Sequence, residues 1–444
     1  MQKVWRDMQK ILAMGLLAIL SVFSMTAHAD LVINVTQGTD KPFPVAIVPF
    51  GGEPTLTNLP DGLSGVISND LTLSGKFSVL PKSNMPARPG TAAAVNWQQW
   101  NPTNVQYLVV GSVQRDTSAY TVTVSVVSPL SAQPLLAKQY SHIPANQLRA
   151  LAHFISDKVY QAITGVRGAA STRLAYVTVL NQGTRNVKYQ LIVADSDGYN
   201  PQVLLQQPGN PIASPTWSPD GKQLAYVSYM HNRMTIYAIT LATGARRVIA
   251  SFTGMNSAPA WSPDGKSMAM ALSQGNGSET NIYIMNLKTK ALKKYTFEAT
   301  NTSPSWSADG KTIIFNSDRG GQPQIYQLDL ASGKVTRLSF DGLKNYDPIY
   351  TPDGNQIIMM HQDSGSSPIQ LAVLDLRTGS TNVITTGNLD KSPSIAPNGQ
   401  MIIYANYDRP YGVLAEVSLN GKIHLQLPTT QGSVQSPAWS PYLN

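Results

Sequence analysis

One short phrase returns six times at an almost fixed interval, and it limits the folds open to this chain more than anything else in it. It reads Ser214-Pro215-Thr216-Trp217-Ser218-Pro219-Asp220-Gly221-Lys222, then Ala258-Pro259-Ala260-Trp261-Ser262-Pro263-Asp264-Gly265-Lys266, then Ser303-Pro304-Ser305-Trp306-Ser307-Ala308-Asp309-Gly310-Lys311. Looser copies begin at Asp347, Ser392 and Ser436. The positions Trp217, Trp261, Trp306, Tyr350, Ile395 and Trp439 follow one another at steps of 44, 45, 44, 45 and 44 residues. A period in the mid-forties with one signature per unit marks the blades of a β-propeller.

Each unit reads as four strands. The S-P-x-W piece is the first. Pro-Asp-Gly is a turn whose Gly takes the positive φ that a tight hairpin needs. Alternating apolar strands follow, at 223–228 and 235–239 in the first complete copy and at 312–317 and 324–328 in the third. Turns such as Ala331-Ser332-Gly333 lead to a fourth strand, here 334–338. The two ends of the array are incomplete in complementary ways. Residues 172–207 supply strands two to four with no first strand, and 436–444 supply a first strand with nothing after it. Pairing the two closes a ring and hides the sheet ends. The expectation is a six-bladed propeller over 172–444, closed by the C-terminal strand. The repeated Trp fits as packing between blades, where a large ring is worth about 1.5–3 kcal/mol or more. The turn aspartates read as hairpin caps.

Ahead of the propeller, Lys3, Arg6 and Lys10 precede an apolar run from Ile11 to Met25 and an Ala27-His28-Ala29 cleavage pattern. This predicts a signal peptide over 1–29, cut between Ala29 and Asp30. The run is short for a membrane span, which needs about 20 residues. No later stretch is long and apolar enough to span, so a soluble, exported protein is expected. The 444-residue chain has no Cys, which excludes disulfides and a Cys-anchored lipid. Loss of 1–29 removes three bases and one acid and takes the net charge from +8 to +6. No long Lys/Arg cluster accompanies that charge, so nucleic acid is not an expected partner. Residues 30–164 fall outside the repeat. Strands at 45–50, 77–80, 107–112, 120–127 and 135–140 mix with two amphipathic helices, one carrying Leu63, Val66, Ile67 and Leu71, the other Leu148, Leu151, Ala152, Ile155, Val159 and Ile163. That is a small α/β domain, joined by a linker at 165–171, with 86–95 as a surface loop.

Catalytic signatures are missing. No G-x-S-x-G elbow, H-E-x-x-H or P-loop occurs. The histidines at 28, 142, 153, 231, 361 and 424 do not pair at helical ligand spacing. Asp195-Ser196-Asp197-Gly198 reads as a turn, since the rest of a calcium loop is absent. Neither metal nor cofactor is expected. The alternative reading is a secreted propeller hydrolase acting on cell-wall sugar or peptide, with carboxylates gathered in the channel from distant places in the chain.

The signal segment without Cys, the small α/β domain with Val45-Ala46-Ile47-Val48-Pro49-Phe50 near its start, and the S-P-x-W-S-P-D-G blades ending in Ser436-Pro437-Ala438-Trp439-Ser440-Pro441-Tyr442-Leu443 together resemble the TolB family, the periplasmic propeller component of the Tol–Pal cell-envelope system. The resemblance covers the whole mature chain. It implies a monomeric scaffold, not an enzyme, that binds the lipoprotein Pal through one propeller face and the protein TolA through its N-terminal strand. Other outer-membrane lipoproteins are possible further partners. The implied role is outer-membrane integrity and constriction at cell division. Strand connectivity puts both kinds of Gly turn on one side of the ring. The inter-blade loops 253–257, 299–303, 342–347, 388–392 and 431–435, which differ most between copies, lie on the other side, where binding is expected. By position before S-P-x-W, the family's Pal contacts fall at Met255, Asn256, Ala258 and Thr302, with Asn345 and Asp347 in the next loop. Met255 stands where relatives often carry His. The TolA strand falls at Asp30, Leu31, Val32, Ile33 and Asn34, short, apolar and β-prone.

Overall fold

The computed structural model describes residues 33–35 (backbone only), 41–57, 59–131, 133–230, 232–273, 279–428 and 432–443. The expected signal segment, its Ala29/Asp30 junction, Leu31 and Val32 lie outside these.

A five-stranded sheet forms first, with strand order Phe77–Val79, Phe43–Ile47, Tyr107–Arg115, Tyr120–Val127, Leu136–Ile143. Its first two pairings are parallel and the rest antiparallel. Two helices, α1 (Gly62–Leu73) and α2 (Leu148–Thr164), cover one face. The apolar stripes read from the sequence point inward: Leu63, Ile67, Leu148, Ile155 and Val159 are fully buried against Val45, Ile47 and Val124. Gly165, at φ 78°, ends α2 and donates its N–H back to the Gln161 carbonyl at 2.9 Å. The expected surface loop at 86–95 does more than connect. Together with Trp97 and the buried Trp100, Ala87, Ala92 and Val95 cover the second face of the sheet over Ala46, Val48, Leu108 and Val110. The small residues there are small because they lie flat on a sheet.

The remaining chain makes six blades around a channel. Blade I joins Ser433–Trp439 to Arg173–Leu180, Lys188–Asp195 and Gln202–Pro208. Blades II to VI begin at Ile212–Trp217, Asn256–Trp261, Asn301–Trp306, Lys344–Tyr350 and Asp390–Ile395. The C-terminal strand therefore closes the ring, with Ala438 opposite Ala175 and Trp439 opposite Leu174. The backbone N–H of Ser440 and the carbonyl of Arg173 seal the join at 2.8 Å. The Trp side chains pass hydrogen bonds around the ring as well as packing between blades. Trp261 Nε1 donates to the Thr216 carbonyl of blade II at 3.4 Å, Trp306 Nε1 to Ala260 at 3.1 Å, and Trp217 Nε1 to Ala438 at 3.1 Å. Each indole therefore buries its ring without orphaning its N–H.

Candidate partner-binding face

Chain direction gives the ring two unlike faces. On one, the Asp-Gly hairpins repeat a single hydrogen-bond scheme. Ser218 Oγ donates to Asp220 Oδ1 at 2.6 Å, and the same oxygen accepts the Lys222 N–H at 3.1 Å. Ser262 with Asp264, Ser307 with Asp309, and Thr351 with Asp353 do the same at 2.6–2.7 Å. Those hydroxyl hydrogen bonds hold all four carboxyls below the usual range. In each aspartate Oδ1 is taken up inside its own turn.

The other face is formed by the inter-blade loops, where the first strands begin; between the two faces those six strands line a channel of about 430 Å³, from the residue before each Pro to the start of the turns at Pro219, Pro263 and Ala308. Each first strand carries a bulge where Pro stands. Opposite Val227 and Ala225, for example, the register slips between Ala213 and Thr216. The same slip recurs in all six blades. Proline has no N–H to give a ladder, so a bulge suits it. The residue before it turns left-handed: Ser214, Ala258, Ser303, Asp347, Ser392 and Ser436 have φ of 44° to 54°. For an L residue this costs on the order of 1–2 kcal/mol, so the surrounding ring must hold it. Asp347 is the one carboxylate among the described residues that line the channel. Ser303 Oγ donates to it at 2.6 Å. Burial pushes this carboxyl up, against the opposing pull of Ser303 and Lys391.

The six residues assigned to this face divide into two groups. Met255 is exposed, and Ala258 and Asp347 sit on the channel wall. Thr302 is half-buried and its hydroxyl accepts from Asn316 Nδ2 at 2.6 Å. Asn256 and Asn345 are fully buried. Asn256 bridges its own loop, accepting the Phe252 N–H at 2.9 Å and donating to the Phe252 carbonyl at 2.7 Å. Asn345 donates to Gln324 Oε1 at 2.8 Å and to the Asp341 carbonyl at 2.9 Å, and meets His361 Nδ1 at 2.8 Å. These two shape the loops from within. The sequence reading missed the exposed apolar side chains of this side: Tyr229, Phe297, Phe340 and Tyr411, which join Met255 there. On the turn side, Tyr199 is exposed too, but the Arg149 guanidinium lies over its ring at 4.9 Å.

That Arg149 belongs to an ion network at the base of the propeller. It donates to Asp195 Oδ2 at 3.0 Å and Asp197 Oδ2 at 2.5 Å, so the Asp195–Gly198 turn receives α2. His153 Nδ1 meets Asp70 Oδ2 at 2.8 Å. Burial lowers the pKa of His153, but Asp70 and Asp195 outweigh it and hold the imidazole up at about 10. Glu416, buried nearby, is pushed well up by burial. Asp70, His153 and Asp197 bring donor atoms within 4.8 Å of one another, the donor types of a transition-metal site. Arg149 and the protonated histidine already pair with Asp70, Asp195 and Asp197, so the cluster reads as a structural ion network.

At the rim, Ile33–Val35 adds a fifth strand to blade VI. It runs antiparallel to Ile423–Gln426, with Asn34 opposite His424 and Val35 opposite Ile423. Of the five residues assigned to the N-terminal strand, Ile33 and Asn34 are therefore docked on a blade edge, and Asp30, Leu31 and Val32 lie outside the described residues.

Comparison with known proteins agrees with this architecture. Residues 160–443 match the TolB beta propeller domain and residues 31–135 the TolB amino-terminal domain. The Tol-Pal system protein TolB of Francisella tularensis subsp. mediasiatica is 38% identical over 450 residues, covering 98% of this chain and 99% of that one. The corresponding protein of Hydrogenovibrio crunogenus is 40% identical over 427 residues, covering 95% and 96%. The crystal structure of TolB from Acinetobacter baumannii superposes with a TM-score of 0.83 at 38% identity, over 93% of this chain and 99% of that one.

Proposed function

The chain belongs to the TolB family, components of the Tol-Pal system, and from that premise we propose that it is a periplasmic protein-binding scaffold exported by its N-terminal signal segment. In this reading the inter-blade face takes the lipoprotein Pal, and the N-terminal strand takes TolA. Together these contacts support outer-membrane integrity and constriction during division. The observation that carries the reading is the contrast between the two propeller faces. One repeats a single regular hairpin with exposed Asp and Lys side chains, while the other offers irregular loops and exposed apolar side chains, the usual makings of a protein interface. A hydrolase acting on cell-wall sugar would call for paired carboxylates. Asp347 stands without a second acid among the described channel residues, which favours the scaffold.

The test is a titration of the mature protein with the soluble domain of Pal. Binding is expected, with Ala258→Tyr and Thr302→Arg each weakening it by about 1–3 kcal/mol. No binding by the unmodified protein would overturn the reading. For TolA, the docked strand suggests a lock. The chain has no Cys, and Asn34 and His424 face each other across an antiparallel pair, a separation that a disulfide can span. Asn34→Cys with His424→Cys should lose TolA binding when oxidised and regain it on reduction. Deleting residues 30–38 should abolish TolA binding and spare Pal binding; unaltered TolA affinity in either variant would refute the strand's role.

A further inference from the structure

We propose that Phe297 and Phe340 are the anchors of the partner-binding face, set to enter apolar pockets with acidic rims on a protein partner. This rests on the scaffold reading above and names residues it does not use. The two rings come from consecutive inter-blade corners, after blades III and IV, and are 62% and 72% exposed. Two phenylalanines this exposed bury little apolar surface for the fold. Both follow the same local pattern, Lys294-Tyr295-Thr296-Phe297 and Arg337-Leu338-Ser339-Phe340.

The ground beneath each ring is rigid and built twice to one plan. Thr296 Oγ1 accepts the Ile282 N–H at 2.8 Å and donates to Asn281 Oδ1 at 3.1 Å, and Asn301 Nδ2 donates to the same oxygen at 3.1 Å. In the next blade Ser339 Oγ accepts the Ile325 N–H at 2.8 Å and donates to Gln324 Oε1 at 2.6 Å, which Asn345 Nδ2 also reaches at 2.8 Å. All of these polar side chains are buried. A hydroxyl, a carboxamide and an Asn thus tie the fourth strand to the following blade just before the Phe. An exposed ring on a fixed base loses little entropy when it is covered, which is what an interface anchor requires.

Charge chooses the occupant. Lys294 Nζ lies 5.1 Å from the centre of the Phe297 ring and Arg337 Cζ lies 5.0 Å from that of Phe340. Neither cation has an ion-pair partner among the described residues. Each ring therefore carries an unmatched positive charge that a partner carboxylate can meet. An anionic lipid surface would also meet these cations, but the same side interleaves the exposed acids Glu298, Asp341, Asp363 and Asp408 with the exposed bases Arg233, Arg319, Lys391 and Arg409 rather than presenting one sign. A protein can place its carboxylates selectively, and a bilayer cannot.

The experiment compares the full mature protein with Phe297→Ala, Phe340→Ala and the double variant, titrated with the soluble domain of Pal and, separately, with vesicles of phosphatidylglycerol. Each single change should raise the Kd for Pal about tenfold, and the double variant at least thirtyfold, with unaltered melting temperature and no vesicle binding by any form. Lys294→Ala with Arg337→Ala should flatten the salt dependence of binding. A double variant that binds Pal within twofold of the parent overturns the anchors while leaving the scaffold reading intact. Vesicle binding that depends on the two rings overturns the protein occupant. If the parent binds neither Pal nor vesicles, the scaffold reading and the anchors fall together.

Discussion

The two faces of the propeller come from the same repeat and end in opposite chemistry. On the turn face, Ser218, Ser262, Ser307 and Thr351 each give a hydroxyl to the aspartate two residues on, and what remains outward is charged, as with Asp264, Lys266, Asp309 and Lys311. On the inter-blade face the buried Asn256 and Asn345 fix loops from inside, and Met255, Phe297 and Phe340 stand exposed among charged neighbours. A repeat that satisfies its own hydrogen bonds can be copied around the ring unchanged. Where it stops doing so, the side chains become available to another molecule.

The comparison can be broken by substitutions that should separate stability from binding. The largest effect is expected inside the ring. Trp261→Ala removes an inter-blade ring and should cost about 3–5 kcal/mol in unfolding free energy, read by chemical denaturation. Next is His153→Ala, which removes one partner of a buried ion pair and should cost about 3 kcal/mol at neutral pH. The sign of its pH dependence follows from a folded pKa of about 10, above the ordinary value of 6.5. The stabilisation is complete below the unfolded value and fades as pH rises towards the folded one. Thermal melts of the parent should therefore fall between pH 7 and 10, and those of the variant should fall less. Glu416 works in the opposite direction at neutral pH. Its carboxyl is pushed well up by burial, so ionisation penalises the folded state, and Glu416→Gln should raise the melting temperature at pH 7, each pKa unit being worth about 1.4 kcal/mol.

Asn345→Ala leaves buried partners unsatisfied and should cost about 1–3 kcal/mol of stability. Because Asn345 holds the corner that carries Phe340, it should weaken Pal binding as well. Asp264→Ala, on the turn face, should cost about 0.5–1.5 kcal/mol of stability and leave Pal binding unchanged. A turn-face change that weakened binding without unfolding the ring would break the contrast.

Much of this was legible in the chain. The repeat, the lone strand at 436–444 and the headless set at 172–207 specify the ring and its closure, because propeller periodicity is local and regular. The helices were legible from stripes such as Leu63, Ile67 and Leu71. The bulge before each Pro was not, since S-P-x-W reads as plain strand until a partner strand shows the slipped register. Nor was the covering role of Ala87, Ala92 and Val95, which depends on a sheet face remote in sequence. Asn256 and Asn345 fall where the sequence reads inter-blade loop and suggests surface, yet both lie in first strands with their amides inward, a distinction that only packing makes. The ion pairs of Arg149 with Asp195 and Asp197 link residues more than forty apart and leave no local trace. Phe297 and Phe340 did leave one, the shared [Lys/Arg]-x-[Ser/Thr]-Phe pattern, which falls between the strands on which the repeat drew attention.

The most direct test of the unlike faces is amide hydrogen exchange of the mature protein with and without the soluble domain of Pal. Protection should appear in the inter-blade loops around 253–257, 296–303 and 340–347, with the Asp-Gly turns at 219–222, 263–266 and 308–311 unchanged. Protection concentrated in those turns, or absent from the loops while Pal is bound, would contradict the account.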